Sequence, residues 1–153
     1  MSFILERFLP YRLRILYDSV ASSFSAMYVK QFDLVPYEWR ILASISQNKS
    51  FTAKQLSQHS RMHKTRVSRA INKLSSKQMI EKTVNQDDKR ETFLKLTDKG
   101  LQTYTKIAQL AEQFDEDILK CLTSKEQKSL SLIIDKLQQH AETNFYRSGA
   151  SDS

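Results

Sequence analysis

An ordered run between residues 49 and 100 restricts the fold of this chain more than anything else in it. A short helix, a tight turn, a basic helix and two short strands follow one another there. Thr52-Ala-Lys-Gln55 is a capping box, its Thr and Gln spaced to satisfy each other's backbone N–H groups. It opens a short helix with Leu56 on the inner side. After His59-Ser60-Arg61 a second helix is predicted over residues 63–77, with Val67, Ile71 and Leu74 at helical spacing on one side. Met79–Val84 and Thr92–Leu96 are rich in branched, aromatic and Thr residues, as strands are. The NQDDKRE segment between them is wholly polar and reads as a hairpin tip.

Charge falls on the same stretch. Residues 49–100 carry 13 Lys/Arg and 5 Asp/Glu, a net +8, while residues 1–48 carry +1 and residues 101–153 carry −2. The chain's whole +7 is thus confined to one third of its length. Such confinement is an electrostatic footprint for phosphates rather than a general solubility device. The outer face of the 63–77 helix presents Lys64, Thr65, Ser68, Arg69, Asn72 and Lys73. Set in a major groove, Lys64 and Arg69 would donate to guanine O6 and N7, Arg69 in a bidentate way. Thr65 and Ser68 would bond phosphate or base, and Arg66 and Lys73, toward the flanks, would hold phosphates. A helix rich in Lys and Arg also serves as a plain solvated face, but here the charge coincides with helix-turn-helix spacing and a following hairpin. In the tip, Asp88 can accept hydrogen bonds that hold Arg90 extended toward a narrow, electronegative minor groove, with Lys89 between them. Standing alone, that tip would read as an ordinary mixed-charge turn.

Helices are predicted on both sides of this module. Leu13, Leu16, Tyr17, Val20, Phe24 and Met27 form a stripe over residues 11–31. Pro36 suits the first position of a second helix with Trp39, Leu42 and Ile45 inward and Asn48 as its stop. Thr97-Asp98 caps a long helix with Leu101, Tyr104, Ile107, Ala108, Ala111, Phe114 and Ile118 inward. A second capping box, Thr123–Glu126, opens a last helix with Leu130, Ile133, Ile134, Leu137 and Ala141 on its apolar side. Only two glycines and two prolines occur, which disfavours turn-rich all-β folds and glycine-rich phosphate loops. The expected fold is mainly α with a small β-wing: a winged helix-turn-helix with N- and C-terminal dimerisation helices. Its expected parts are an N-terminal dimerisation helix (1–34), a DNA-binding domain (35–98), C-terminal dimerisation helices (99–146) and a disordered tail (147–153). A twofold dimer would set two basic modules on one side, spaced for a palindrome with half-sites ~34–36 Å apart.

Other classes find little support. There is no nucleophile with its base, no phosphate loop and no cofactor signature, so an enzyme is not expected. His59, His63 and His140 share no spacing with carboxylates or cysteine, so no metal site is expected. Apolar runs are far shorter than the ~20 residues of a membrane-spanning helix, and the N-terminus lacks the order of a signal peptide. A single cysteine, Cys121, cannot form an intrachain disulfide, which suits a reducing cytoplasm, and a DNA-binding role would place the chain on the nucleoid. Cys121 lies beside Leu119 and Leu122 and is expected to be a buried, inert thiol. A non-specific architectural DNA binder needs only the charge and the fold, whereas a winged helix that binds protein would be expected to carry a neutral recognition helix.

The chain resembles the MarR family of winged helix-turn-helix regulators over residues 9–145. The resemblance rests on FDLVPYEWRIL, MHKTRVSRAINKL, the wing Asp88-Lys89-Arg90 and LKLTDKG. In that family an Asp-x-Arg wing is followed, seven residues after its Arg, by the Thr of a Leu-Thr-x-x-Gly helix start, as Arg90 is by Thr97. Two departures occur: His63 stands where relatives carry a small polar cap, and Gln78 stands at the usual left-handed Gly. LPYRLRIL and VPYEWRIL further resemble a branch controlling hydroxycinnamate and homoprotocatechuate catabolism. That resemblance implies a repressor released from a palindromic operator by a small aromatic acid or its CoA thioester. A multidrug or phenolic-stress regulator of the same family is the alternative. It also implies an effector pocket of Tyr11, Arg14, Tyr17, Tyr37 and Trp39, with Arg14 as a carboxylate fork between aromatic walls. Arg14 and Asp18, four apart, equally suit a surface ion pair, and Trp39 equally suits the core.

Overall fold

The computed structural model describes residues 3–47, 51–84 and 92–144. Its elements, in chain order, are a 3-10 turn at Leu5–Arg7, α1 (Leu9–Phe32), α2 (Pro36–Gln47), β1 (Phe51–Thr52), α3 (Ala53–Ser60), α4 (Lys64–Ser76), β2 (Ile80–Val84), β3 (Thr92–Leu96), α5 (Asp98–Leu119) and α6 (Ser124–Asn144). The fold is mostly helical with one small antiparallel sheet, as the sequence predicts. The chain divides into two compact units, residues 1–112 and 113–153.

Local rules account for the element ends. Asp33 stops α1 by turning left-handed at φ 50°, and Pro36 takes the first position of α2. In the capping box of α3, Gln55 N donates to Thr52 Oγ1 at 3.2 Å and Thr52 N donates to Gln55 Oε1 at 2.8 Å. Arg61 turns left-handed at φ 52° to separate α3 from α4. Gln78 has φ 57° although it is not glycine, so this position does require the left-handed turn that the family usually gives to Gly.

The core of the first unit is built by α2, α3, α4 and the sheet. Ile41, Leu42 and Ile45 belong to one buried cluster with Leu56, Val67, Ala70, Ile71, Leu74, Met79, Ile80 and Leu94, and Tyr28, Leu34 and Ile107 are fully buried in it as well. Burial pushes the Tyr28 phenol up to about 12. The sheet order is β1-β3-β2, with Ile80 opposite Leu96, Val84 opposite Thr92 and Phe51 opposite Leu94. Strand β1 is absent from the sequence prediction because two residues are too few to show alternation.

Several positions predicted to face inward do not. Leu13, Leu16 and Tyr17 in α1 and Leu101 and Ile118 in α5 are exposed, whereas Trp39 is half-buried and packs against the core. No residue of α6 is buried, and Leu130, Ile133, Ile134 and Leu137 are 38–54% exposed. Periodicity reports that a helix has an apolar face but not which surface covers it. One chain leaves these faces uncovered.

Candidate functional site

Helix α4 is amphipathic to its full length. Val67, Ala70, Ile71 and Leu74 are buried, and they hold the helix against the core. The opposite side exposes Asn72 together with Lys64, Thr65, Arg66, Ser68, Arg69 and Lys73, the six residues of this helix that the sequence assigns to DNA contact. His63 caps the helix through its imidazole, with Thr65 N donating to Nδ1 at 3.3 Å. A ring nitrogen thus replaces the side-chain oxygen of a usual cap, and it does so only while Nδ1 is unprotonated.

Two grooves flank this face. One, of about 520 Å³, runs between α3, α4 and the strands and is lined by Lys54, Lys64, Ser68, Asn72, Lys82 and Thr92 above apolar Val67, Ile71 and Leu94. Lys54 and Lys82 escape a reading based on one helix's periodicity, since they come from different elements; only the charge count of the segment signals them. The other groove, of about 570 Å³, is lined by Tyr37, His63, Thr65, Arg66 and Arg69. Tyr37, expected among the effector residues, borders the basic face here. Asp88, Lys89 and Arg90 lie outside the described residues.

The remaining effector candidates form separate groups within one chain. Arg14 Nε donates to Asp18 Oδ2 at 2.7 Å in an exposed ion pair, which holds the guanidinium above its ordinary pKa. Tyr11 and Tyr17 are exposed on the same helix. Trp39 instead stacks on Tyr104 with centroids 5.6 Å apart and lies 6.3 Å from the Tyr28 ring. Tyr28 is eleven residues beyond Tyr17, or ~16 Å along a helix. Cys121 is exposed, contrary to expectation. The reason is local: α5 ends at Leu119, so Cys121 lies in the turn beyond it and outside the helix's apolar stripe. Among the described residues no group of three or more His, Cys, Asp or Glu is placed to hold a metal ion, and no helix is long and apolar enough to cross a membrane.

The MarR family model matches residues 34–92, which span α2 to the start of β3. The HTH-type transcriptional regulator YdcH of Bacillus subtilis is 30% identical over 100 residues, covering 63% of this chain and 68% of that protein. The chain belongs to the MarR family. The HTH-type transcriptional regulator YybA of Bacillus subtilis is 25% identical over 123 residues, 80% of this chain and 82% of its own length. In fold, the chain matches BpsR of Bordetella bronchiseptica, a protein whose DNA binding is regulated by 6-hydroxynicotinic acid. That match has a TM-score of 0.82 at 14% identity and covers 90% of this chain and 98% of BpsR. This MarR-type chain is therefore a transcriptional regulator with a winged helix-turn-helix, in which α3 and α4 are the two helices of the motif.

Proposed function

We propose that this regulator is a homodimeric repressor that binds a palindromic operator through α4 and is released by a small aromatic acid or its CoA thioester. The outward face of α4 carries the reading: four cations with Thr65, Ser68 and Asn72 between them, over a buried apolar row that fixes the helix on the core. Lys64 and Arg69 read bases; Thr65 and Ser68 bond base or phosphate; Arg66 and Lys73 hold phosphates. Asp88, Lys89 and Arg90 form the minor-groove wing, a role that rests on the sequence alone.

The uncovered apolar faces support the dimer. In α1 they include Leu13, Leu16 and Tyr17, and in α6 Ile133, Ile134 and Leu137. A monomer rarely leaves such stripes in water. Residues 1–34 and 99–146 are thus the dimerisation helices, around a DNA-binding domain at 35–98. Asp at both Ile133 and Leu137 is expected to give a monomer in analytical ultracentrifugation and to abolish operator binding at concentrations where the wild type is dimeric.

An effector class of hydroxylated aromatic acids is supported by the fold shared with BpsR and its response to 6-hydroxynicotinic acid. Within one chain Tyr11 and Tyr17 are exposed on α1, Arg14 is paired with Asp18, and Trp39 is stacked on Tyr104. We therefore tie the pocket to the dimer, where the partner's α1 supplies the first group and Tyr37 and Trp39 the second. Operator binding, measured on DNA from the chain's own promoter region, tests the whole reading. Specific binding relieved by a hydroxycinnamate or its thioester is expected. Specific binding that no aromatic acid disturbs rejects the effector class, and binding without sequence preference rejects the regulator in favour of an architectural role.

A further inference from the structure

One lysine of the basic segment does not face outward. Lys77, the residue that ends α4, turns its side chain to the junction of α1 and α2, where it is only 15% exposed. Its Nζ lies 3.2 Å from Asp33 Oδ2 and donates to the Asp33 carbonyl oxygen and, at 3.4 Å, to Glu38 Oε2. An ammonium has three donors, and three acceptors meet it. Asp33 is the left-handed residue that ends α1, so the ammonium also sits at the negative end of that helix. Glu38, in the first turn of α2, is 2% exposed and accepts from Val35 N at 3.2 Å.

The backbone leaving α4, from Lys77 to Met79, is held from the other side. Lys99 Nζ donates to the Lys77 carbonyl at 2.9 Å, Thr97 Oγ1 to the Gln78 carbonyl at 2.7 Å and Thr97 N to the Met79 carbonyl at 3.1 Å. The exit of α4 is thus clamped between the α1–α2 junction and the start of α5. Apolar packing under α4 is non-directional, so it fixes that the helix is docked more firmly than it fixes its tilt. The directional contacts of Lys77 supply what packing does not. Buried ion pairs add little to stability against apolar substitutes, and their best use is to select one arrangement.

We infer that Lys77 is a positioning residue that sets the angle of α4 on α1, and thereby the half-site spacing the dimer accepts. The inference rests on the dimeric, palindrome-reading proposal above. One inserted base pair moves a half-site by ~3.4 Å and rotates it by about 35°, which a rigidly held pair of helices rejects and a loosely held pair tolerates.

The test compares affinity for the operator with affinity for the same operator lengthened by one base pair, using the full chain. Wild type is expected to prefer the natural spacing by about tenfold or more, the cost of one poorly met half-site contact. Lys77→Met alone leaves Glu38 buried without its cation and is liable to unfold, so the decisive variant is Lys77→Met with Glu38→Gln, which removes both charges. It is expected to melt near wild type and remain dimeric, while its spacing preference falls to about threefold or less; Lys77→Arg is expected to restore the preference. A double variant that keeps the wild-type preference, or one whose melting midpoint and affinities for both DNAs fall together, overturns the inference and leaves the regulator reading standing. A wild type with specific binding but no spacing preference overturns the inference and the fixed-spacing dimer together.

Discussion

Replacing both Lys64 and Arg69 with alanine is expected to lower specific operator affinity by about thirtyfold or more while leaving the melting temperature unchanged. A good base contact is worth ~1–3 kcal/mol of discrimination, and two of them therefore account for ~2–6 kcal/mol, with each 1.4 kcal/mol a factor of ten. Both side chains are exposed, and the helix is held by Val67, Ala70, Ile71 and Leu74 on its other side, so folding loses nothing comparable. Alanine at Lys73 provides the contrast. If that residue holds a phosphate, its loss weakens operator and random DNA alike and lowers the slope of log affinity against log salt by about 1. Anisotropy titrations on operator and scrambled duplexes over a range of salt separate the two patterns. An equal loss on both duplexes for the Lys64/Arg69 variant would show that these residues hold phosphates and that specificity is read elsewhere.

The difference between what this sequence discloses and what it conceals is one of range. Helix α4 is legible because its evidence is local: apolar residues at spacings of three and four, cations between them and a turn before. The same holds for α3, whose capping box is complete within four residues. Lys77 shows the opposite case. In the sequence it is one more cation in a basic segment, yet its partners are Asp33 and Glu38, 44 and 39 residues away, at the α1–α2 junction. Lys54 and Lys82 are similar, since they join the Lys64 side of the groove only when α3, α4 and the strands come together. The effector candidates are a third case. Arg14 and Tyr17 sit where the sequence puts them, on one face of α1, but a pocket needs a facing wall. Within one chain Trp39 already has its walls in Tyr28 and Tyr104.

Gly100→Ala is expected to lower the melting temperature by roughly 2–12 °C, although alanine is the better helix former. At this position inside the first turn of α5, a Cβ would stand 1.9 Å from the Met79 carbonyl oxygen and 2.8 Å from its carbon. Both atoms are backbone, so neither moves aside as a flexible side chain would. Separating them costs ~1–3 kcal/mol as overpacking, and the Thr97 N to Met79 O hydrogen bond adds about 1 kcal/mol or more once its acceptor is stranded. Against this, alanine returns about 1 kcal/mol of helix propensity, leaving a net loss of ~1–3 kcal/mol, and each kcal/mol moves the midpoint of a domain this size by about 2–4 °C. A calorimetric midpoint within 2 °C of wild type would show that α5 does not depend on this close approach. The family's Leu-Thr-x-x-Gly pattern here acquires a physical reading. Leu96 ends β3; Thr97 accepts from Gly100 N at 3.1 Å while donating to the Gln78 carbonyl; and Gly100 admits the carbonyl of Met79 where a side chain would begin. Each of the three joins α5 to the chain leaving α4 or to the strand beside it. Any residue other than glycine at position 100 is therefore expected to disturb the seat of the basic helix as well as the helix it occupies.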